Sequence, residues 1–370
     1  MRTIRRALAQ SMKELFQFRR DPLTVGLAFI LPSLALLMYG FATRLEAKNI
    51  PVAIINYDSG KLSRNFVDSI CASRQFIAVP WSGRHVLEPL DESIAKATIV
   101  IPPEFSRKLK AKQSTSIQVL IDATDVNNAR VIKNGFIMLS KTFLVHEGMV
   151  QKRPSVVPVI RLWFNPGRKE SLHIVPGAIA LVTWIFPALL AAFAMVREKE
   201  QGTILQLYAS SITAFELILG KAIAYFCVGF TEALIVIGLA ITVFSLPFVG
   251  NPITYLFCTV LYVMSGVVFG LWAGSRATNQ MAAVQICAMV GFLGSMLLSG
   301  FIYPIRNITY PVSLLSNVVA ARYFIEASRD AFVRGGDFFA HWYVPVFLGG
   351  ITLFFLLAGV GGMAKMQLSK

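Results

Sequence analysis

Acidic residues are scarce in this chain: 20 Asp and Glu stand against 35 Lys and Arg, a formal charge of +15. Charged residues of both signs make up only 15% of it, where a soluble protein carries roughly 25%. That deficit excludes an ordinary soluble chain. Cysteine is sparse as well. Cys71, Cys227, Cys258 and Cys287 form no CxxC and no Cys/His group at metal spacing, which excludes a zinc ribbon and leaves nothing that needs a disulfide. His146 and His173 have no ligand partners at metal spacing and read as surface or interface residues. A GxxxxGK[ST] phosphate loop is missing, because Gly220-Lys221 lacks both the upstream Gly and the following Ser or Thr. Without that nest of amides the polypeptide is not expected to hydrolyse ATP itself. There is no HExxH, no Ser/Lys dyad and no acid pair at suitable depth, which argues against an intramembrane enzyme. Nor is there an arginine-rich run with interleaved aromatics, so nucleic acid is not the expected partner.

What the chain has in place of charge is apolar sequence, 55% of its residues, gathered into blocks. Six blocks are about 20 residues or longer, enough to cross a bilayer: Leu23–Thr43, His173–Val196, Leu217–Leu246, Ile253–Ala273, Ala282–Ile302 and Tyr343–Gly362. Pro176 and Pro187 fall inside the second, which a helical bundle tolerates. The first block exceeds a signal-peptide core and lacks a small-residue cleavage site, so it reads as a retained span. Ahead of it, residues 1–20 form an expected amphipathic helix. Ile4, Leu8, Met12, Leu15 and Phe16 recur at helical spacing among Arg2, Arg5, Arg6, Lys13, Arg19 and Arg20. The basic residues lie between apolar blocks, a placement that suits anionic lipid headgroups.

Residues 44–171 differ in character. Short β-rich runs at Val52–Asn56, Phe76–Val79, Thr98–Ile101, Ile117–Ile121 and Val156–Phe164 alternate with helix-like stretches at Ser63–Cys71, Val86–Lys96, Phe105–Lys110 and Asn127–Gln151. The expected fold class is therefore a six-helix polytopic α-helical membrane protein with an inserted extracytoplasmic α/β domain. Loop charges set its orientation. Lys and Arg crowd residues 1–20, the loop after the second span (Arg197, Lys199, Lys221), the loop after the fourth (Arg276) and the tail 365–370, whereas Pro247–Pro252 carries none. Both termini are thus placed in the cytoplasm, and the five-span region 172–364 follows the insert. The segment 303–342, with Arg306, Arg322, Arg329 and Arg334, falls outside, in mild conflict with the charge rule. Within it Leu314–Val333 reads as a moderately amphipathic helix, and the segment is either a set of short helices dipping into the outer leaflet, where they could close a pathway, or a surface helix lying at the interface.

The loop 197–221, REKEQGTILQLYASSITAFELILGK, holds an expected short helix at Thr203–Ala209 and a capping box of Thr213 with Glu216. It can be read as a rigid elbow that receives a push from a cytosolic partner, or as an interfacial loop whose charges only fix orientation. Glu232 sits deep in the third span, where an ionised carboxylate costs about 2.5–3.5 kcal/mol. It reads either as a contact to a cationic substrate or dimer seam, or as a neutral acid bonded to a neighbouring helix. Gln280 and Gln285 read as helix-packing groups.

The order of these elements resembles the membrane subunits of type-2 ATP-binding-cassette exporters, in particular the bacterial multidrug-efflux branch with a large periplasmic insert. The likeness covers almost the whole chain and includes VAIINYDSGKLSRNF, IPPEFSRKL and QVLIDATDVNNAR in the insert and ARYFIEASRDAFVRGGDF before the last span. One departure is Asn317-Val318, where family members often have Asn-Pro. The resemblance implies that Glu198, Glu200, Gly202, Thr203, Glu216, Gly220 and Lys221 belong to the loop that couples to the ATPase. It also implies a bacterial inner-membrane location, a separate cytosolic cassette ATPase that uses ATP, no cofactor in this chain, a second permease copy or paralogue and, through the insert, a periplasmic adaptor. The same architecture also fits a membrane-anchored receptor or attachment protein acting through its α/β ectodomain.

Overall fold

The computed structural model describes residues 2–42, 49–73, 75–81, 85–124, 126–149, 164, 165, 169, 171–203, 212–336 and 341–368. The expected strand at Val156–Phe164 and the expected helix at Thr203–Ala209 fall almost wholly outside them. The chain divides into two compact units, residues 44–161 and the remainder.

The smaller unit is built on a sheet of β1 (Ile50–Asn56), β2 (Phe76–Val79), β3 (Ala97–Ile101) and β4 (Gln118–Ile121) in the order β2-β1-β3-β4. β1 runs parallel to both β2 and β3, and β4 closes the edge antiparallel. The two central strands, IPVAIIN and ATIVI, are nearly continuous apolar runs, as strands covered on both faces must be. Helices Lys61–Ala72 and Val126–His146 cover the sheet, with Phe66, Ile70, Ile132 and Phe136 in the core and Phe76 stacked on Phe136 at 4.6 Å. The helix expected at Val86–Lys96 shrinks to Glu88–Asp91, because the chain turns at Ser93 (φ 57°) to enter β3.

Among the described residues, the larger unit opens with the amphipathic helix Arg2–Arg19 and holds six helices long and apolar enough to span a bilayer. They are Pro22–Ala42, Ser171–Glu200, Ala214–Val243, Pro252–Arg276, Gln280–Leu298 and Tyr343–Leu368. The second span is the axis of the bundle: 78% of its most apolar stretch is buried, against 17% for the first and sixth. It packs on the fourth through small residues at one-turn intervals. A Cβ on Gly266, Gly270 or Gly274 would lie 2.8, 2.0 or 2.7 Å from the carbonyl oxygen of Trp184, Ala188 or Ala192. Only glycine lets the two backbones meet so closely. Hydrogen bonds fasten the same seam, with Trp184 Nε1 donating to Ser265 Oγ at 3.0 Å and the Tyr262 hydroxyl to the Ala180 carbonyl at 2.7 Å. The fifth span carries a π-turn at Cys287–Leu293.

The segment before the last span is a series of short helices, mostly exposed as far as Val318 and largely buried from Ala320 to Phe332. Short turns at Val312–Leu315 and Ser316–Val318 end at an extended Val319, and the Tyr323 hydroxyl takes up the Asn317 carbonyl at 2.8 Å. The helix Ala320–Arg329 then enters the bundle, where Phe324 stacks on Tyr262 at 4.0 Å and Phe332 packs on Tyr255. Gly335, left-handed at φ 75°, ends the following π-turn. An aromatic face this large is buried against the second and fourth spans in preference to lying on a surface.

Candidate functional site

One end of the bundle gathers the amphipathic helix, the ends of the second and fourth spans and the starts of the third and fifth. The third span begins there with the expected capping box: Thr213 Oγ1 accepts from the Glu216 amide at 3.2 Å, and Glu216 Oε2 accepts from the Thr213 amide at 2.9 Å. Arg6 of the amphipathic helix stands 3.6 Å from the same carboxylate. One turn on, a Cβ at Gly220 would lie 2.7 Å from the Ala7 carbonyl oxygen. That absent methyl lets the amphipathic helix rest directly on the third span.

The next residue is the centre of the site. Lys221 is fully buried, and its ammonium donates to Glu14 Oε1 at 2.7 Å and to the Ala194 carbonyl at 3.3 Å. Glu198 Oε2 lies 3.0 Å away as an ion pair. Glu14 also accepts from Gln10 Nε2 at 2.9 Å and from the Tyr225 hydroxyl at 3.2 Å, while Lys13 donates to Glu198 Oε1 at 2.8 Å. Lys221, Glu14 and Glu198, from three helices, thus neutralise one another away from water, and the half-exposed Lys13 completes the set from the rim. A buried charge survives only with such partners, and removing one of them is far more costly than never having the set.

The loop's remaining charges tie the neighbouring spans to this centre. Lys199 donates to the carbonyls of Gly274, Ser275 and Ala277 at 2.8, 2.6 and 3.1 Å, satisfying the free acceptors that end the fourth span. Glu200 accepts from the Gln280 amide at 2.9 Å and from its side chain at 2.7 Å, at the start of the fifth. Gly202 is left-handed at φ 69° with open space where a Cβ would stand, and Thr203 Oγ1 donates to the Glu198 carbonyl at 3.3 Å.

Of the residues singled out in the sequence, Glu198, Glu216, Gly220 and Lys221 therefore meet around the amphipathic helix and face inward. Glu200, Gly202 and Thr203 lie at the exposed rim of the same elbow. Glu232 stands apart. It is buried in the third span, its two carboxylate oxygens without a hydrogen-bond partner among the described residues. Sequence reasoning named Lys13 and Lys199 only as basic residues that suit lipid and set orientation, and it missed Glu14, Gln10 and Tyr225. Only Glu14 left a signal, as the one acid in the basic segment 1–20. The helical apolar stripe Ile4, Leu8, Met12 and Phe16 is exposed, opposite the face that carries Glu14, as expected of a helix lying in a membrane interface. Among the described residues no group of His, Cys, Asp or Glu is placed to hold a metal ion.

The chain is similar along nearly its full length to known transport proteins. It is 26% identical over 361 residues to the "Probable multidrug ABC transporter permease YbhS" of Escherichia coli (strain K12), covering 96% of this chain and 94% of that one. It is 27% identical over 334 residues to YbhR, of the same description and organism, covering 89% and 90%. It is 25% identical over 368 residues to the "Inner membrane transport permease YhhJ" of that organism, covering 94% and 93%. Residues 22–360, which run from the first span through the insert and into the last span, match the family described as ABC-2 family transporter protein, and the chain belongs to it.

Proposed function

We propose that this chain is the membrane half of an ATP-driven exporter of drugs or similar amphipathic molecules. It works with a separate cytosolic cassette ATPase and with a second copy or a paralogue. Its place is the bacterial inner membrane, with both termini and the loop 197–221 in the cytoplasm and the α/β insert outside, within reach of a periplasmic adaptor. The Lys and Arg asymmetry of the short loops supports that orientation, and the relatives' descriptions support the transport role. ATP is consumed by the partner, since this sequence carries no phosphate loop.

The observation that carries the reading is the buried charge centre. A force applied to the elbow reaches the second and third spans through Glu198 and Lys221, the amphipathic helix through Glu14, the fourth span through Lys199 and the fifth through Glu200. Those links make five elements move as one body, while the first and sixth spans, outside this set of ties, leave most of their apolar stretches unburied. The ties of Lys221 to Glu14 and Glu198 are closed to water and hold their geometry better than the same pairs in solvent.

Glu200→Lys removes the acceptor of the Gln280 amide and side chain, and Gly202→Trp forces a bulky residue into a left-handed position. Both are expected to abolish dye extrusion by cells while leaving membrane content unchanged. Normal extrusion by both variants removes the coupling role. Orientation has its own test. In a protein whose four native cysteines are replaced by serine, Gln201→Cys should react with an impermeant maleimide only after the membrane is opened. Labelling from outside sealed spheroplasts overturns the orientation.

A further inference from the structure

The α/β unit has a half-open cavity of about 540 Å³ between the helix Phe105–Lys110, the C-terminal half of Val126–His146 and the chain that leads into β4. Its size is that of a pocket for one drug-sized molecule. The floor is apolar, formed by Phe66, Phe105 and Phe143, with ring centroids 5.8 and 5.0 Å apart. The rim is polar, and among the lining residues the one charge is the exposed ammonium of Lys112.

Lys112 occupies an unusual place. The helix Phe105–Lys110 ends in a turn whose Lys112 amide donates to the Leu109 carbonyl at 3.0 Å and whose Gln113 amide donates to the Lys108 carbonyl at 2.9 Å. Such a turn needs a left-handed residue, normally glycine, and Lys112 adopts it at φ 55°. The long helix bordering the cavity ends in the same kind of turn, with Gly148 at φ 66° in the equivalent place. One wall uses the residue that fits and the other accepts about 1–2 kcal/mol of strain to set a cation at the mouth. Strain of this kind clusters at ligand clamps.

We propose that this cavity binds an amphipathic organic anion, its apolar body on the three phenylalanines and its acid group on Lys112. The site is independent of the transport reading, since it is defined within the insert and its test reads binding alone.

The test uses the full-length protein in nanodiscs of zwitterionic lipid with a diazirine-bearing dodecanoate as photoprobe. Labelling is expected on the peptides around Phe105–Lys112 and Phe143–Met149. Free dodecanoate should compete at least tenfold better than dodecyltrimethylammonium, which has the same chain and the opposite charge. Dodecanoyl-phosphatidic acid serves as a second competitor that distinguishes a lipid headgroup from a free acid as the source. Lys112→Gly removes the charge and relieves the strained backbone, so it should fold at least as well yet lose labelling fivefold or more, whereas Lys112→Arg should keep it. Ser140→Phe, which fills the cavity, should abolish it. Labelling confined to the spanning helices, equal competition by the cation, or full labelling of Lys112→Gly would each overturn the site.

Discussion

At the scale of single residues, Lys221 decides more than any other side chain. Its replacement by Met leaves Glu14 and Glu198 buried with too little positive charge, a loss of about 3–5 kcal/mol. The variant should accumulate poorly and unfold at lower temperature in nanodiscs. Adding Glu14→Gln to it should recover part of that loss, which a double-mutant cycle measures; strict additivity would mean that the two residues do not interact. Glu232 makes the opposite case. With no partner among the described residues, it contributes desolvation cost and no bond. Glu232→Leu is therefore expected to match or exceed the native protein in thermal stability, and any effect on dye extrusion then reports function separately from folding. In the insert, burial pushes the Asp58 carboxyl up, but bonds from the Ser106 hydroxyl, the Ser106 amide at 3.0 Å and the Gly60 amide at 3.2 Å hold it below its ordinary value. A carboxyl depressed by folding binds its proton more weakly in the native state. Its stabilising contribution is thus complete above the unfolded value of about 3.9 and disappears as pH falls through the folded one. Asp58→Asn should be less stable near neutral pH and show a flatter decline on acidification, read from limited proteolysis of the insert in the full chain across urea concentrations.

Among elements, the seam between the second and fourth spans is the tightest. In a bilayer the lipid tails are as apolar as leucine, so helices associate through close packing and interhelical hydrogen bonds. The stripe Gly266, Gly270 and Gly274 supplies the first, and Trp184 with Tyr262 the second. Gly270→Ala sets a methyl against the Ala188 carbonyl, a backbone atom that cannot step aside, and should cost about 1–3 kcal/mol or more. Gly238, on the third span, has open space around it. Gly238→Ala should be neutral or stabilising by up to about 1 kcal/mol. Thermal unfolding of the two variants side by side checks both. The amphipathic helix obeys the same economy in reverse: its small and polar face, with Ala7, Gln10, Ser11 and Glu14, packs inward, while its apolar stripe is left for lipid.

For the molecule as a whole, burial is unevenly shared. The first, fifth and sixth spans leave most of their apolar surface outside the bundle, 17–22% of each being buried. A single chain in lipid can present such a surface to acyl chains or to another protein, and our reading assigns part of it to a second permease. Single-molecule photobleaching in native membranes should return two subunits; a monomeric count with extrusion intact would remove the dimer.

The sequence by itself determined the six spans, to within a few residues at most ends, and the alternating strands and helices of the insert. Runs of bilayer length and two- or three-to-four-residue periods are local properties, and the solvent on each side enforces them. It also determined the Thr213–Glu216 capping box, whose two bonds close within four residues. Only the tertiary structure decided what the loop charges do. Glu14 and Lys221 are 207 positions apart, and nothing in composition tells a lysine that fixes orientation from one that neutralises a buried glutamate. The break at Val319 was equally hidden, because the amphipathic period runs through it and the Tyr323 hydroxyl that accommodates it acts through folded geometry. Long-range pairs pass through an interior whose low dielectric gives them their strength, and that interior exists only once the helices have met.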